Sequence, residues 1–214
     1  MGRKAGVAPE DTREAVLEAA MRTFAELGYA GASTRAIGAA ASLTLGAVHH
    51  HFGSKGDLYV SCILEADARL RRLIAEAFSA AGTGSAEDAV IAAVRGLRNP
   101  AYRTAFRLVA RRVWEDPEGA VEERLSAHGD ALDRGAVLLR QMRPSLTDLG
   151  ARIRIQAAVY VLARFAIAPE RERAFLTRDT AEEAMSVEDA NAALEKELAS
   201  ALLQVLLGDV PSAT

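Results

Sequence analysis

The stretch from Ser33 to Lys55, STRAIGAAASLTLGAVHHHFGSK, decides how the rest of the chain is read. Two short apolar-periodic segments flank a tight break at Ala41, Ser42 and Leu43. Ser33 has the side chain to cap the first segment, which carries Ile37 and Ala40 at helical spacing. The second runs from Thr44 to His50, with Val48 turned inward and small or polar residues on the other side. A helix, a tight turn and a second helix with such an exposed face form a device for entering a DNA major groove.

Upstream, Asp11 to Leu27 carries Val16, Ala20, Phe24 and Leu27 as one apolar stripe, with Asp11 or Thr12 as cap and Gly28 suited to a left-handed end. The spacing predicts a three-helix unit over residues 11–57, small enough to lean on the helix that follows. That next helix starts at Ser54 and Asp57, which stand in the pattern of a capping box with a shorter acid. It runs through Leu58, Cys62, Leu70, Leu73 and Phe78 to about Gly82. Lys55 falls in its first turn, where the helix dipole disfavours a cation, so either an external anion or a solubilising role accounts for it. Residues 1–10 lack periodicity and read as a loose arm. It is either simply disordered or sets Arg3 and Lys4 against phosphate or the minor groove.

The run from Thr12 to Tyr59, TREAVLEAAMRTFAELGYAGASTRAIGAAASLTLGAVHHHFGSKGDLY, resembles the N-terminal DNA-binding region of the TetR family of bacterial transcriptional regulators. The resemblance rests on Phe24-Gly28-Tyr29, Arg35, Ile37, Gly46 and the closing His51, Phe52, Gly53, Ser54, Lys55, Asp57 and Leu58. It implies that Ser33 and Thr34 donate to phosphate and that Arg35 meets phosphate or a groove edge. Thr44 caps the recognition helix or meets phosphate, Gly46 lets the backbone approach, and Ala47 packs on a thymine methyl. His49 and His50 face backbone or base edges, and Lys55 holds a phosphate. Two positions depart from the family pattern: Leu45 stands where a lysine or other polar residue is common, and His49 where tyrosine is usual. A leucine reads only shape or a thymine methyl. A histidine in that place predicts operator affinity that rises as pH falls through roughly 7 to 6.

The remaining residues, 58–210, read as a larger all-α domain. Helices are predicted over Glu87–Leu97, Ala101–Glu115, Glu118–Met142, Leu149–Ala168 and Asp189–Leu207, with Pro169–Ser186 as a charged connector. Arg103, Arg107 and Arg111 form a row beside the apolar Tyr102, Phe106, Val109 and Val113. Such a row is a solvated flank, a set of partners for carboxylates, or a contact to an anionic ligand. The last two strong helices are apolar nearly all round, which makes them either an internal pair or a dimer interface. The dimer reading uses Ile153, Tyr160, Val161, Phe165, Leu194, Leu198, Leu202 and Val205, and agrees with how family members pair.

Composition narrows the function classes. Of 214 residues half are hydrophobic, enough for a substantial core, and a formal charge of −3 leaves room only for a local DNA-binding face. The lone Cys62 excludes an intramolecular disulfide and, with no apolar leader, favours a cytoplasmic protein. The longest apolar run, Ala157–Ala163, is far too short to span a membrane. His49-His50-His51 is not expected to bind metal, because consecutive helical residues diverge by about 100°. Gly82-Thr83-Gly84-Ser85 follows no strand and lacks phosphate-loop spacing, so no cofactor is expected. The resemblance implies a homodimeric repressor of operator DNA, released by a small-molecule effector that Arg107, Arg111, Trp114, His128 and Tyr160 are candidates to line. The alternatives are a larger domain that binds a protein partner, or a small-molecule enzyme with a DNA-binding head, against which stands the lack of a nucleophile or metal motif.

Overall fold

The computed structural model of the protein describes residues 9–81, 86–115, 126–167 and 187–208. Every element among them is an α-helix: α1 Pro9–Gly31, α2 Thr34–Ala40, α3 Leu45–Phe52, α4 Lys55–Ala81, α5 Ala86–Gly96, α6 Pro100–Glu115, α7 Ser126–Met142, α8 Asp148–Ile167 and α9 Val187–Leu207. The all-α architecture is as the sequence predicts. The expected arm up to Ala8, the Gly82–Ser85 stretch, the expected helix start at Glu118 and the connector after Ile167 lie outside the described residues.

Helix α1 does not stop at Leu27. Gly28 interrupts it at φ 72, ψ 174, and a further turn continues to Gly31. That backbone region is accessible essentially to glycine alone. The break also changes the fate of Leu27, expected on the buried stripe but 56% exposed. The chain turns away just after it, and the aromatic contacts pass to Tyr29, whose ring lies 5.1 Å from that of Tyr59. Phe24 meets the same Tyr59 ring edge-on at 5.1 Å.

One core runs through α1, α2, α3, α4 and α6, joining Val16, Phe24, Ile37, Val48, Leu58 and Leu108. The three-helix unit leans on α4 as predicted, and on α6 as well, so packing is continuous across Asp57 and Leu58. Cys62 is fully buried in this core. Burial, and then the charge of Glu65, push its thiol well above the ordinary range, which suits a small packing residue. Arg69 of α4 pins the same layer by pairing with Glu18 of α1 and Glu65 of its own helix.

The larger domain stacks α5, α8 and α9 around Val94, Ala158, Leu198 and Leu202. Several residues of the dimer reading pack within the chain. Leu198 and Leu202 are buried inside the chain, and Val161, Phe165 and Val205 pack partly buried against the same cluster. Leu194 is half-buried on the same helix. The wide apolar face of α9 is covered by α5 and α8, a neighbour pair that periodicity does not identify. Arg98, in the turn after α5, holds α9 through a two-pronged pair with Glu195 at 2.6 and 3.0 Å. Arg154 of α8 donates to the last carbonyls of α9, Val205 O at 2.8 Å and Leu206 O at 3.2 Å. No helix among the described residues is long and apolar enough to cross a membrane.

Candidate nucleic-acid interface

Local chemistry builds α2 and α3. The Ser33 hydroxyl accepts from the Ala36 N–H at 3.1 Å and starts α2. The Thr44 hydroxyl accepts from the Ala47 N–H at 3.2 Å and starts α3. Each satisfies a donor that the first helical turn leaves unpaired. Between them the chain reverses through Ser42 at φ 58, a left-handed conformation that a short polar residue tolerates better than a bulky one. At the far end Gly53, at φ 74, closes α3 with its N–H donating to His49 O at 2.9 Å.

Val48 and Phe52 anchor α3 from beneath. That leaves Thr44, Leu45, Gly46, His49 and His50 exposed, with Ala47 half-buried. Ser33 and Arg35 are exposed at the start of α2, and Thr34 is half-buried. The residues expected to meet DNA therefore lie at the start of α2 and along the outer side of α3. The His49 ring is also used locally, its Nδ1 standing 2.7 Å from Gly53 O. His50 and His51 face each other edge-on, ring centroids 5.2 Å apart. Among the described residues no three His, Cys, Asp or Glu side chains group to hold a metal ion.

Lys55 is more than a solvated cation at a helix start. Its Nζ lies 4.4 Å from the centroid of the Tyr29 ring, an attraction that offsets the unfavourable dipole and fixes the charge beside α3. The capping box beneath it forms as expected: Asp57 N–H donates to Ser54 Oγ at 3.1 Å and Ser54 N–H to Asp57 Oδ2 at 3.3 Å.

Two residues of this region escape the sequence reading. The Arg13 guanidinium sits 4.9 Å from the centroid of the Phe52 ring, a second cation held over an aromatic face at the end of α3. Nothing in the spacing of Arg13 and Phe52 signals that contact. Gly38 is buried at the crossing of α2 and α3, where a Cβ would stand 3.1 Å from Leu43 O and 3.3 Å from Val48 Cγ2. A lone glycine inside so short a helix was the available signal.

Of the effector-lining candidates, Arg107, Arg111 and Tyr160 have described side chains. Arg111 reaches across to α1, donating from Nε to Ala25 O at 3.0 Å and from Nη2 to Glu26 O at 3.1 Å. It ties α6 to α1 through backbone carbonyls, a role the row of arginines does not signal. Tyr160 is 49% exposed on the outer side of α8, not inward. Arg107 has a buried Nε with no hydrogen-bond partner among the described residues. The side chains of Trp114 and His128 lie outside the described residues.

Comparison with known proteins agrees with this geometry. The family model for bacterial regulatory proteins of the tetR family matches residues 16–62. The HTH-type transcriptional repressor AcnR of Corynebacterium glutamicum is 40% identical over 76 residues, 36% of this chain and 40% of that protein's length. AcnR of Corynebacterium efficiens is 30% identical over 161 residues, 73% of this chain and 77% of that protein. Among solved structures, a TetR-like transcriptional regulator from Rhodococcus sp. RHA1 shares the fold at a TM-score of 0.58 and 21% identity, covering 97% of this chain and 100% of that one. Because the likeness to the Corynebacterium efficiens repressor runs well past the helix-turn-helix and into the larger helical domain, the chain belongs to the TetR family of bacterial regulatory proteins.

Proposed function

We propose that this chain is a cytoplasmic, sequence-specific transcriptional repressor that binds operator DNA as a homodimer and is released by a small molecule held in its larger domain. The observation that carries the reading is the mounting of α3: Val48 and Phe52 hold it from below while Leu45, Gly46, His49 and His50 face outward. Ser33, Thr34, Arg35, Thr44 and Lys55 would take phosphates on either side, which fixes register, and Leu45, Gly46, Ala47, His49 and His50 would face base edges. The repressor names of the Corynebacterium relatives support the direction of regulation.

Dimerisation follows from groove geometry. Two copies of α3 set about 34 Å apart enter successive major grooves on one side of the duplex. Of the residues in the dimer reading, Ile153 and Tyr160 are exposed at 58% and 49% on α8 and are open to a second copy, as are Leu149 on the same helix and Val137, Leu138 and Met142 on α7. A rigid α4 that begins at the capping box beside α3 and ends in the larger domain would carry a change there to the reading head. Arg107, with its buried Nε, supports an effector that offers a hydrogen-bond acceptor near α6.

Selection of bound fragments from random and genomic duplexes, with light scattering on the recovered complex, tests the reading. The expected result is an enriched two-part site bound by two chains. No preference over random DNA in moderate salt, with or without candidate small molecules, would remove it.

A further inference from the structure

We propose that Leu45 is a specificity-determining residue that reads thymine through its 5-methyl group, so that each operator half-site carries a thymine opposite the start of α3. The inference rests on the reading of α3 as the major-groove helix and names what that helix recognises.

Few side chains at the front of α3 can offer a hydrogen bond to a base edge. The Thr44 hydroxyl accepts from the Ala47 N–H at 3.2 Å as the cap, and its remaining O–H is the donor assigned above to phosphate. Gly46 has no side chain, and a Cβ there would have only Thr44 Oγ1 within contact range, at 3.8 Å. Ala47 carries only a methyl and is half-buried, and Val48 is buried. Polar side chains resume at His49, whose ring is drawn back to Gly53 O, 2.7 Å from Nδ1. The foremost exposed side chain of the helix is therefore Leu45, 37% exposed.

An isobutyl group can neither donate to guanine nor accept from cytosine or adenine. Of the groups that the four bases present in the major groove, only the thymine C5-methyl is apolar. Opposite any other base edge, Leu45 would strip water from a polar group and return no hydrogen bond, which disfavours that base. The bare backbone of Gly46 lets the helix approach closely enough for Leu45 to make that contact.

The test uses the full chain and the site recovered by selection. Each thymine of one half-site is replaced singly by uracil, which deletes the methyl and keeps every hydrogen-bonding group. The expected loss is about fourfold in affinity at one or two thymines, the worth of one buried methyl. Leu45→Ala, on an exposed side chain, should fold as the wild type does by circular dichroism and lose that sensitivity. Leu45→Lys should shift the selected base at that position towards guanine, whose O6 and N7 accept from an ammonium. Indifference of the wild type to every uracil replacement would overturn the inference while leaving operator binding intact. So would a uracil penalty that persists undiminished in Leu45→Ala. Failure to enrich any site would overturn the DNA-binding reading itself.

Discussion

The Arg111 guanidinium of α6 donates from Nε to the Ala25 carbonyl of α1 at 3.0 Å, three residues before the Gly28 break. A second arm reaches Glu26 O at 3.1 Å. These carbonyls belong to the last turn before the interruption, where the helix has lost its own donors. The positive charge also faces the negative end of the α1 dipole. One side chain thereby completes a helix of the reading head from within the larger domain, and with Arg69–Glu18 it makes the junction stiff at two points.

Arg111→Ala should cost about 1.5–3 kcal/mol of stability, the range for hydrogen bonds from a charged donor. Arg111→Lys, which keeps the charge and one donor direction, should recover part of that. Urea unfolding of the three proteins measures it. A loss in Arg111→Ala no larger than for an exposed arginine such as Arg35 would show that the tie carries no weight.

Gly38→Ala should loosen the helix-turn-helix. The added Cβ would meet Leu43 O at 3.1 Å, a backbone atom that cannot rotate aside, and Val48 Cγ2 at 3.3 Å. The gain in helix propensity is smaller than the overpacking cost, so a net loss of about 1–2 kcal/mol is expected. Operator affinity should fall with it, because Val48 anchors the reading helix. Gly46→Ala, in open space, serves as the stability control; unfolding midpoints that do not separate the two would contradict this account.

The contrast between those glycines marks what the sequence makes legible. Ser33, Thr44, Ser54 and Asp57 act on partners three residues away, so their caps follow from spacing alone. Arg13 over Phe52 and Arg111 on Ala25 join residues far apart in the chain, and no local pattern encodes them. The α9 stripe falls between these cases. Its apolar width is readable, but whether α5 or a second copy covers Leu198 and Leu202 depends on a packing order that periodicity does not carry.

Ile153→Glu combined with Tyr160→Glu should convert a dimer to a monomer at micromolar concentration while leaving the protomer folded. Both side chains are largely exposed within one chain, so the new charges meet water there and are desolvated only against a partner. Leu202→Glu is the counterpart, with a residue 1% exposed inside the protomer, and should unfold the chain at a cost on the order of 4 kcal/mol. Light scattering and thermal melts read both. An unchanged dimer mass in the double variant would exclude the outer face of α8 as the interface.

Tyr102 gives a pH dependence with a definite sign. Its hydroxyl donates to Glu76 at 2.6 Å, joining α6 to α4. That hydrogen bond first, then burial and the Glu76 charge, raise the phenol above the ordinary tyrosine range. A raised value means that the folded protein holds the proton more tightly than the unfolded chain. Stability from the pair is therefore complete below the ordinary tyrosine range and is lost as pH climbs through the folded value. The pair faces solvent, so its worth stays under about 1 kcal/mol. Urea midpoints of the wild type and Tyr102→Phe should differ by a constant amount near neutrality and converge in strong alkali, with other titrations shared by both. A gap that widens with rising pH would reverse the assigned sign.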